Sequence, residues 1–327
     1  MDFVILWVDD KDSEWREEYG KYSLLEEGEK RVCRFRDWDN LHYWFRGVEK
    51  FAPWVDQVFF ITAGQVPSWM NVNHPKLKII FHEEYIPKDI LPTFNSNTIE
   101  MFLHQIPGLS EQFVLFNDDF FIINKIKPEH FFVRNMPVDI CALNVFDTRD
   151  GYLSPIRNID IINKHFDKSK SFKNDYFKWF STNNGKHLVR TLLLCWWPHF
   201  VGFYDHHLPQ PFLKSTFQEI WSKEKSTLLD SVRLKFRQKN NLTQYLFRYW
   251  QLASGHFVCR NICSRSVVIH QKHIKDDNID RIASIIRKQK KNIIVINDSD
   301  NIDFIKAKNK INSAFNDILF EKSSFEN

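Results

Sequence analysis

Short, unbroken runs of apolar residues recur along the first 145 residues of the chain, without the strict alternation of a half-exposed strand. Runs of this kind are typical of strands covered on both faces, as in a parallel or mixed sheet. The pattern predicts five strands, over Phe3–Val8, Val58–Ile61, Leu77–Phe81, Phe113–Phe116 and Ile140–Leu143.

Helices are predicted between these strands. From Asp39 to Phe51, apolar residues recur at three- and four-residue steps, with Asp37 as the expected N-cap and Pro53 as the stop. A second helix is expected to begin near Asn97, because Asn97 and Glu100 have the spacing of a capping box.

After about residue 145, the regular alternation of apolar runs and helical segments ends. Residues 146–200 predict no definite element, whereas Lys214–Ala253 has helical periodicity. A further helix is predicted around Thr243–Ala253, ending at Gly255, a good C-cap residue. We therefore expect an α/β fold. A Rossmann-like or GT-A-like mixed sheet flanked by helices should occupy residues 1–145 and handle a nucleotide. A mainly helical portion, 146–327, should pack on it as one unit.

Composition narrows the class of protein. With 43% hydrophobic and 26% charged residues among 327, the chain is globular rather than disordered. The net charge of +4 is nearly balanced and requires no nucleic acid as partner. No run approaches the ~20 apolar residues of a membrane span, and Met1–Val8 has no basic leader. We expect a cytoplasmic protein.

Two groups of residues have both a structural and a functional interpretation: a cysteine and histidine cluster that could be a zinc site, and a basic run that could contact an anionic partner. Cys259, Cys263, His270 and His273 depart from the usual zinc spacings, so reduced thiols and surface imidazoles are the simpler interpretation. The basic run 287–291 predicts a solvated helix face, with a weak peripheral contact to an anionic membrane or polymer as the alternative.

The adjacent acids Asp118 and Asp119 follow directly after the predicted strand Phe113–Phe116. Ligands gather at the C-terminal edge of an α/β sheet, where paired carboxylates can hold a divalent cation that grips a diphosphate. The alternative is a turn in which Asn117 and Asp118 bond to their own backbone.

Aromatic and basic residues accompany the first strand and the first long helix. Trp7 and Asp9, at the end of the strand, suit stacking on a base and hydrogen bonding to a ribose, or are ordinary core and loop residues. Arg34, Arg36 and Arg46 suit phosphate recognition only if the fold brings them toward the acids.

His206 and His207 precede the stiff Leu208–Gln210 turn, which makes His207 a candidate general base. Arg237, expected on the following helical segment, could balance charge on a transferring phosphoryl group.

In the segments that carry these residues, the chain resembles the Stealth family of sugar-1-phosphate transferases. Segment 2–9 is similar to the family's first conserved block, and 207–209 with 235–237 to the third; 296–298 is a weaker match to the fourth. The second block is matched in order by segments 34–37, 52–55, 64–69, 91–97, 106–111 and 117–119. The chain departs from the family pattern at Asp10, Trp38 and His42, the last two of which bear on donor identity.

The resemblance implies transfer of a hexose-1-phosphate, such as GlcNAc-1-phosphate, from a UDP-sugar to a hydroxyl of a glycan acceptor, with release of UMP. It implies His207 as general base and Arg237 as stabiliser of the β-phosphoryl oxygens. It implies Mg²⁺ or Mn²⁺ on Asp119, with Asp118 and Asp298. Candidate donor-binding residues are Trp7, Asp9, Arg34, Asp37, Arg46, Gly64, Gln65, Asn95 and Asn97, and Asn297 joins Asp298 as a candidate for the metal or acceptor site.

Two other functions stay open at this level. A metal-dependent GT-A-type glycosyltransferase would use the same acids and the same UDP-sugar but attack carbon and release UDP. A catalytically idle polysaccharide-binding protein would bind glycan through its aromatic residues without turnover. The oligomeric state is equally open.

Overall fold

The computed structural model describes residues 1–25, 36–148, 151–299 and 302–327. The strands are β1 Asp2–Leu6, β2 Val58–Thr62, β3 Leu77–Phe81, β4 Gln112–Phe116, β5 Phe120–Ile122, β6 Phe132–Val133, β7 Met136–Asp139, β8 Gln210–Leu213, β9 Val258–Cys259, β10 Ser266–Ile269 and β11 Ile293–Ile296. The helices are α1 Ser13–Ser23, α2 Leu41–Phe51, α3 Ser96–Met101, α4 Ser154–His165, α5 Lys168–Asn174, α6 Tyr176–Trp179, α7 Leu188–Leu194, α8 Lys214–Val232, α9 Tyr245–Ala253, α10 Ile279–Lys288 and α11 Phe304–Ile318.

The central sheet has five strands in the order β3-β2-β1-β4-β8. The first four are parallel, and β8 runs antiparallel to β4. Phe3, Val4 and Ile5 of β1 are all fully buried, with Phe3 and Ile5 in one core and Val4 in the other. The predicted mixed sheet flanked by helices, with strands covered on both faces, is confirmed.

The strand order creates a crevice. After β1 the chain crosses to β2 on one side of β1, and after β3 it crosses to β4 on the other side. Connections that diverge in this way leave space between them at the C-terminal ends of the two central strands. The ends of β1 and β4 therefore mark the place where a ligand can enter.

A second sheet, β10-β11-β5, continues from the first. β10 and β11 are parallel, β5 is antiparallel to β11, and residues 117–119 carry the chain from β4 into β5. Helix α2 packs on β5 at Gly47, where a Cβ atom would stand 2.6 Å from the carbonyl oxygen of Ile122. Only glycine permits this approach. A third, small sheet has the order β6-β7-β9.

The strand predicted over Ile140–Leu143 is wrong. The strand is β7, and residues 140–143 continue from it as a buried, irregular segment. Their backbone groups bond to side chains: the amide of Cys141 donates to Asn184 Oδ1 at 2.8 Å, and that of Leu143 to Thr191 Oγ1 at 3.1 Å. Within the described residues, their pairing with another segment is limited to a single antiparallel bridge between Leu143 and Phe203, so the apolar run reflects burial rather than a continuous strand.

Both predicted helix caps are also wrong by a few residues. Asn40, not Asp37, precedes α2, because Asp39 has a positive φ of 53° that turns the chain just before the helix. Helix α3 is capped by Asn95, whose Oδ1 accepts from the amide of Asn97 at 3.2 Å.

The portion after residue 145 is mainly helical, as predicted. The further helix expected around Thr243–Ala253 is confirmed as α9, and the helical segment that begins at Lys214 is α8, which ends at Val232. Arg237, expected on a helical segment, lies instead on the loop between α8 and α9. Strands β8 and β11 of this portion pair with β4 and β5 of the first, so residues 1–145 and 146–327 share their sheets.

The basic run 287–291 begins in the last turn of α10, where Arg287 and Lys288 are exposed, as a solvated helix face requires. Of the helices in the described parts of the chain, none is both long enough and apolar enough to cross a bilayer.

Candidate active site

A cavity of about 860 Å³ opens where the C-terminal ends of β1 and β4 meet the N-terminal ends of β5 and β8. Because β5 and β8 run antiparallel to their neighbours, the residues just before each of them lie at the edge where the parallel strands end. Loops from distant parts of the chain therefore converge here. The polar lining residues that matter most are Asp118, Asp119, His207, Arg237, Asn297 and Asp298.

The acidic pair occupies the passage from β4 to β5. Asp118 is accessible from the cavity, and Asp119 is partly buried. The surrounding protein and the neighbouring charge of Asp119 raise the pKa of Asp118 to about 7. Two carboxylates forced together in this way favour a proton or a cation between them.

Asn297 joins the acidic pair to the imidazole. Its Nδ2 lies 2.6 Å from Asp119 Oδ2 and 2.9 Å from His207 Nε2, while Asp119 Oδ2 and His207 Nε2 are 3.8 Å apart. A carboxylate only accepts, so the amide nitrogen must face Asp119 and also donate to His207. His207 Nε2 is therefore an acceptor in this arrangement.

Sheet register brings Asn297 to Asp119. The amide of Ile296 donates to the carbonyl oxygen of Asp119 at 3.0 Å, and Val295 pairs with Phe120 across β11 and β5. Residues after β11 thus reach the same edge as residues before β5.

His207 stands on a loop with a positive φ of 49°, anchored from behind by Arg248 of α9. Arg248 is fully buried and donates to both carboxylate oxygens of Asp139, at 2.7 and 3.0 Å, and to Asp205 at 3.1 Å. The Tyr249 hydroxyl donates to the other oxygen of Asp205 at 2.7 Å. His206 Nε2 lies 3.2 Å from Asp139. The two residues preceding His207 are thus held by one buried cluster, which we call the Arg248 network.

In the Arg248 network a single guanidinium lies between two carboxylates, those of Asp139 and Asp205. Burial alone would raise the pKa of Asp139, but Arg248 and His206 hold it at about 2. Burial raises the pKa of Asp205 to about 6 against the opposing charge of Arg248. Burial and Arg248 lower the pKa of His206, which is neutral and donates from Nε2 because its Nδ1 accepts from the amide of Leu208 at 3.2 Å.

Arg237 reaches the cavity from the loop between α8 and α9, and its guanidinium donates to the hydroxyl of Ser96 on α3. The buried amide of Asn95 donates to two carbonyl oxygens of the same loop, at 3.3 and 3.5 Å. The rings of Phe94 and Phe236 stack with centroids 5.3 Å apart. The start of α3 therefore fixes the loop that carries Arg237.

Glu100, further along α3, is 4% exposed. Burial raises its pKa to about 7, against the opposing charges of Arg237 and His207. A third acidic group thus lies close to both of these residues, and the sequence showed it only as part of an expected capping box.

Asp298 is engaged by Arg36, which donates to its two carboxylate oxygens at 2.8 and 2.5 Å. The guanidinium also lies over the ring of Phe304, 4.1 Å from its centroid. This bidentate pair forms part of the cavity wall, and both oxygens of Asp298 are used in it.

Of the remaining predicted donor-binding residues, some line the cavity and others do not. Trp7 and Asp37 line the cavity. Asp9 and Gln65 instead hold each other, with two bonds of 2.8 Å between the Gln65 side chain and the Asp9 backbone, and Gly64 lies beside them in an exposed turn.

Three more of these residues lie away from the lining. Arg46 pairs with Glu326 at 2.7 Å, and Asn95 and Asn97 are buried in the cap of α3. Arg34 lies outside the described residues.

Trp15 on α1 and His270 after β10 line the cavity, although nothing in the sequence assigned them to this site. Trp38, which the sequence singled out only as a departure from the family pattern, lines the cavity as well. His270 follows the apolar run Ser266–Ile269, and this run was the available signal for a strand that ends at the same edge.

The donor set fits a hard divalent cation that is shared with a substrate phosphate. Asp118 and Asp119 offer carboxylate oxygens to the cavity, and the pKa of Asp118 is raised by burial and by the neighbouring charge of Asp119, both of which a bound cation would offset. No group of three or more His, Cys, Asp or Glu side chains in the described ranges is arranged to hold a metal by itself. Magnesium commonly binds in this way, through one or two carboxylates plus phosphate oxygens.

Comparisons with known proteins show the family to which the chain belongs. Residues 34–139 match the family described as Stealth protein CR2, conserved region 2. The chain is 43% identical over 333 residues to the capsular polysaccharide phosphotransferase WcwK of Streptococcus pneumoniae, covering 100% of this chain and 98% of the relative. It is 37% identical to the receptor polysaccharide phosphotransferase WefC of Streptococcus gordonii, covering 100% and 98%.

Similarity to solved structures is remote. The galactosyltransferase LgtC, solved with donor and acceptor sugar analogues, aligns over 96% of each chain with a TM-score of 0.37 and 9% identity.

Proposed function

Because this chain belongs to the Stealth family of phosphotransferases, we propose that it transfers a hexose-1-phosphate, such as GlcNAc-1-phosphate, from a UDP-sugar to a hydroxyl group of a polysaccharide acceptor. The acceptor oxygen bonds to the β-phosphorus, the bond from that phosphorus to the bridging oxygen breaks, and UMP leaves. The observation that carries this proposal is the contact set Asp119–Asn297–His207, which lines one cavity together with Asp118 and Arg237.

His207 acts as the general base. Its Nε2 accepts a hydrogen bond from Asn297, so its lone pair is available for a proton. His207, Asn297 and Asp119 all line the cavity. An incoming acceptor hydroxyl replaces the Asn297 amide at this lone pair and gives up its proton as the oxygen attacks. Bases placed in this way contribute about 10²–10⁴-fold to rate.

The negative charge of the diphosphate is balanced from two sides. Arg237, held by Ser96, donates to the oxygens of the β-phosphoryl group. Asp118 and Asp119 would hold Mg²⁺ or Mn²⁺, which supplies neutralisation of charge on the departing UMP. Phosphoryl transfer needs little beyond such positioning and charge balance.

The nucleoside lies toward the aromatic part of the wall. Trp7 and Trp38 both line the cavity and offer ring faces for uracil, and Asp37 offers carboxylate oxygens for ribose hydroxyls. Arg46, Gly64 and Gln65 lie away from the lining, and we assign them no contact with the donor.

Product analysis tests the proposal. The protein is incubated with a panel of UDP-sugars, Mg²⁺ or Mn²⁺ and short capsular oligosaccharides, and the products are identified by mass spectrometry. We expect UMP and an oligosaccharide extended through a phosphodiester. UDP with a glycosidic product would show a glycosyltransferase instead, and glycan binding with no donor turnover would show a binding protein.

A chelator tests the metal separately. We expect excess EDTA to abolish turnover and added Mg²⁺ or Mn²⁺ to restore it. Full activity in EDTA would remove the cation from the mechanism while leaving the reaction itself in place.

A further inference from the structure

Helix α7 and the turn that follows it expose a stripe of apolar residues. Val189, Leu192 and Leu193 of the helix, and Trp196 just beyond its end, follow the i, i+3, i+4, i+7 spacing of a helical stripe. Their side chains are 58%, 49%, 74% and 89% exposed, and the adjacent Trp197 is 60% exposed. Such a stripe normally faces the core of a globular protein, and here it faces solvent.

The inner face of α7 carries the buried Thr191 and the half-buried Leu194, and its orientation is fixed. Thr191 is fully buried and accepts from the amide of Leu143 at 3.1 Å. His187, just before the helix, is 4% exposed and packs on the ring of Tyr204, with centroids 3.9 Å apart. These contacts hold the apolar stripe outward.

A buried lysine holds the two tryptophans at the end of α7. Lys168 is 4% exposed, and its ammonium donates to the carbonyl oxygens of Leu194, Cys195 and Trp197. A cation at the C-terminus of a helix satisfies carbonyl groups that would otherwise lack partners. Trp196 and Trp197 are therefore presented by a braced turn and not by a frayed end.

The surroundings of the stripe are strongly basic. Residues 164–197 contain seven Lys and Arg and only two acids, Asp167 and Asp175, a net charge of +5 against +4 for the whole chain. Asp167 caps α5 and Asp175 pairs with Lys178 at 2.7 Å, so both acids are used internally. The basic residues exposed in this segment include Lys170, Lys173, Lys186 and Arg190.

We propose that the face formed by Val189, Leu192, Leu193, Trp196 and Trp197, with its basic surroundings, docks the protein on the surface of an anionic lipid bilayer. Tryptophan and leucine flanked by lysine and arginine are the composition of helices that lie in a membrane interface. A second copy of the chain would bring two basic faces together, which disfavours self-association. This docking is separate from the basic run 287–291 and does not depend on the identity of the donor.

Co-sedimentation of the full chain with lipid vesicles tests the proposal. Vesicles of phosphatidylcholine with about 30% phosphatidylglycerol supply the anionic surface, and vesicles of phosphatidylcholine alone supply the neutral one. We expect binding to the anionic vesicles, weaker binding to the neutral ones, and loss of most binding in roughly 0.5 M NaCl, which screens exposed charges.

The double variant Leu193→Ser/Trp196→Ser should bind anionic vesicles at least about tenfold more weakly, because binding scales with the apolar area inserted. The matched control is Ile305→Ser/Phe320→Ser, which changes two residues of 63% and 75% exposure elsewhere on the surface and should bind like the wild type. Circular dichroism and thermal melting check that both variants fold.

Three results would overturn the proposal. They are no binding of the wild type to anionic vesicles, equal loss of binding in both double variants, and a dimer in light scattering that Leu193→Ser/Trp196→Ser dissolves while vesicle binding is absent.

Discussion

The acidic side of the cavity and its basic side are held in place differently. Asp118 and Asp119 lie where the backbone passes from β4 to β5, and main-chain pairing of β5 with β11 sets their position. His207 and Arg237 stand on loops that side chains hold in place. The buried Arg248 network holds the loop of His207, and the buried Asn95 with the half-buried Ser96 holds the loop of Arg237.

This difference predicts where the site is vulnerable. A sheet register is maintained by many bonds, so no single side chain away from the cavity should displace the acids. A loop held by one guanidinium or one amide depends on that group, so substitution of a residue that never meets substrate should impair His207 or Arg237. The substitutions below test that contrast, in order of decreasing expected effect.

His207→Ala should reduce kcat by about 10²–10⁴-fold, because no other imidazole contacts Asn297 and Asp119 in the described part of the chain. Thermal melting should be unchanged, since His207 is partly exposed to the cavity. Turnover is measured by UMP release, with the exposed His256→Ala as control. A rate near that of the wild type would exclude His207 as the base.

Arg248→Met should destabilise the fold by about 3–5 kcal/mol, because it leaves Asp139 buried without its partner. Free energies of unfolding from denaturant titration provide the measurement. Arg287→Met is the matched control: its pair with Asp317 is exposed, and its loss should cost about 1 kcal/mol or less. Equal effects of the two substitutions would contradict the structural role of the Arg248 network.

Arg237→Lys should lower kcat almost as much as Arg237→Ala, by roughly 10²–10³-fold. A lysine cannot reproduce the planar, two-pronged contact of a guanidinium with phosphoryl oxygens. Steady-state measurement of kcat for Arg237→Lys, Arg237→Ala and the wild type compares the three proteins. A mild lysine phenotype would reduce the role of Arg237 to charge alone.

Acid should destabilise the fold through Asp139. Its pKa of about 2 in the folded state is below the ordinary value of 3.8, so the unfolded chain binds the proton more readily. The contribution, about 2 kcal/mol, is complete above roughly pH 5 and is lost as the pH falls toward 2. The lowered pKa of buried His206 acts in the same direction from about pH 6.5 downward.

Denaturant titrations between about pH 7 and pH 3 measure this dependence. The variant Asp139→Asn lacks the titrating carboxyl and should show a flatter acid limb. An acid limb as steep as that of the wild type would assign the loss of stability to other groups.

Asn95→Ala should have the smallest effect, about tenfold in kcat/KM, because the two carbonyl oxygens of the Arg237 loop lose a donor worth about 1–2 kcal/mol. The exposed Asn73→Ala is the control. If Asn95→Ala lowers stability but leaves the kinetics of the folded protein intact, Asn95 is a structural cap only and does not position Arg237.

Local pattern was enough to predict much of the fold. The apolar runs placed β1, β2, β3 and β4 because a strand buried on both faces must be apolar throughout. The same logic failed at residues 140–143, where side-chain partners such as Asn184 and a single bridge to Phe203 satisfy the backbone in place of a continuous neighbouring strand. Periodicity reports burial and not the kind of partner.

By itself, the sequence determined the α/β architecture, the position of Asp118 and Asp119 at the end of a strand, and the family to which the chain belongs. Each of these depends on residues close together in the chain or on motifs in fixed order. Only the tertiary structure decided that Asn297 bridges Asp119 and His207, that Arg248 holds the loop of His207, and that Arg46 lies away from the cavity.

The physical reason is sequence separation. Asn297 and Asp119 are 178 positions apart, and only the pairing of β11 with β5 makes them neighbours. Arg46 has the same charge and the same chemistry as a phosphate-binding arginine, and what distinguishes it is Glu326, the acid that the fold places beside it.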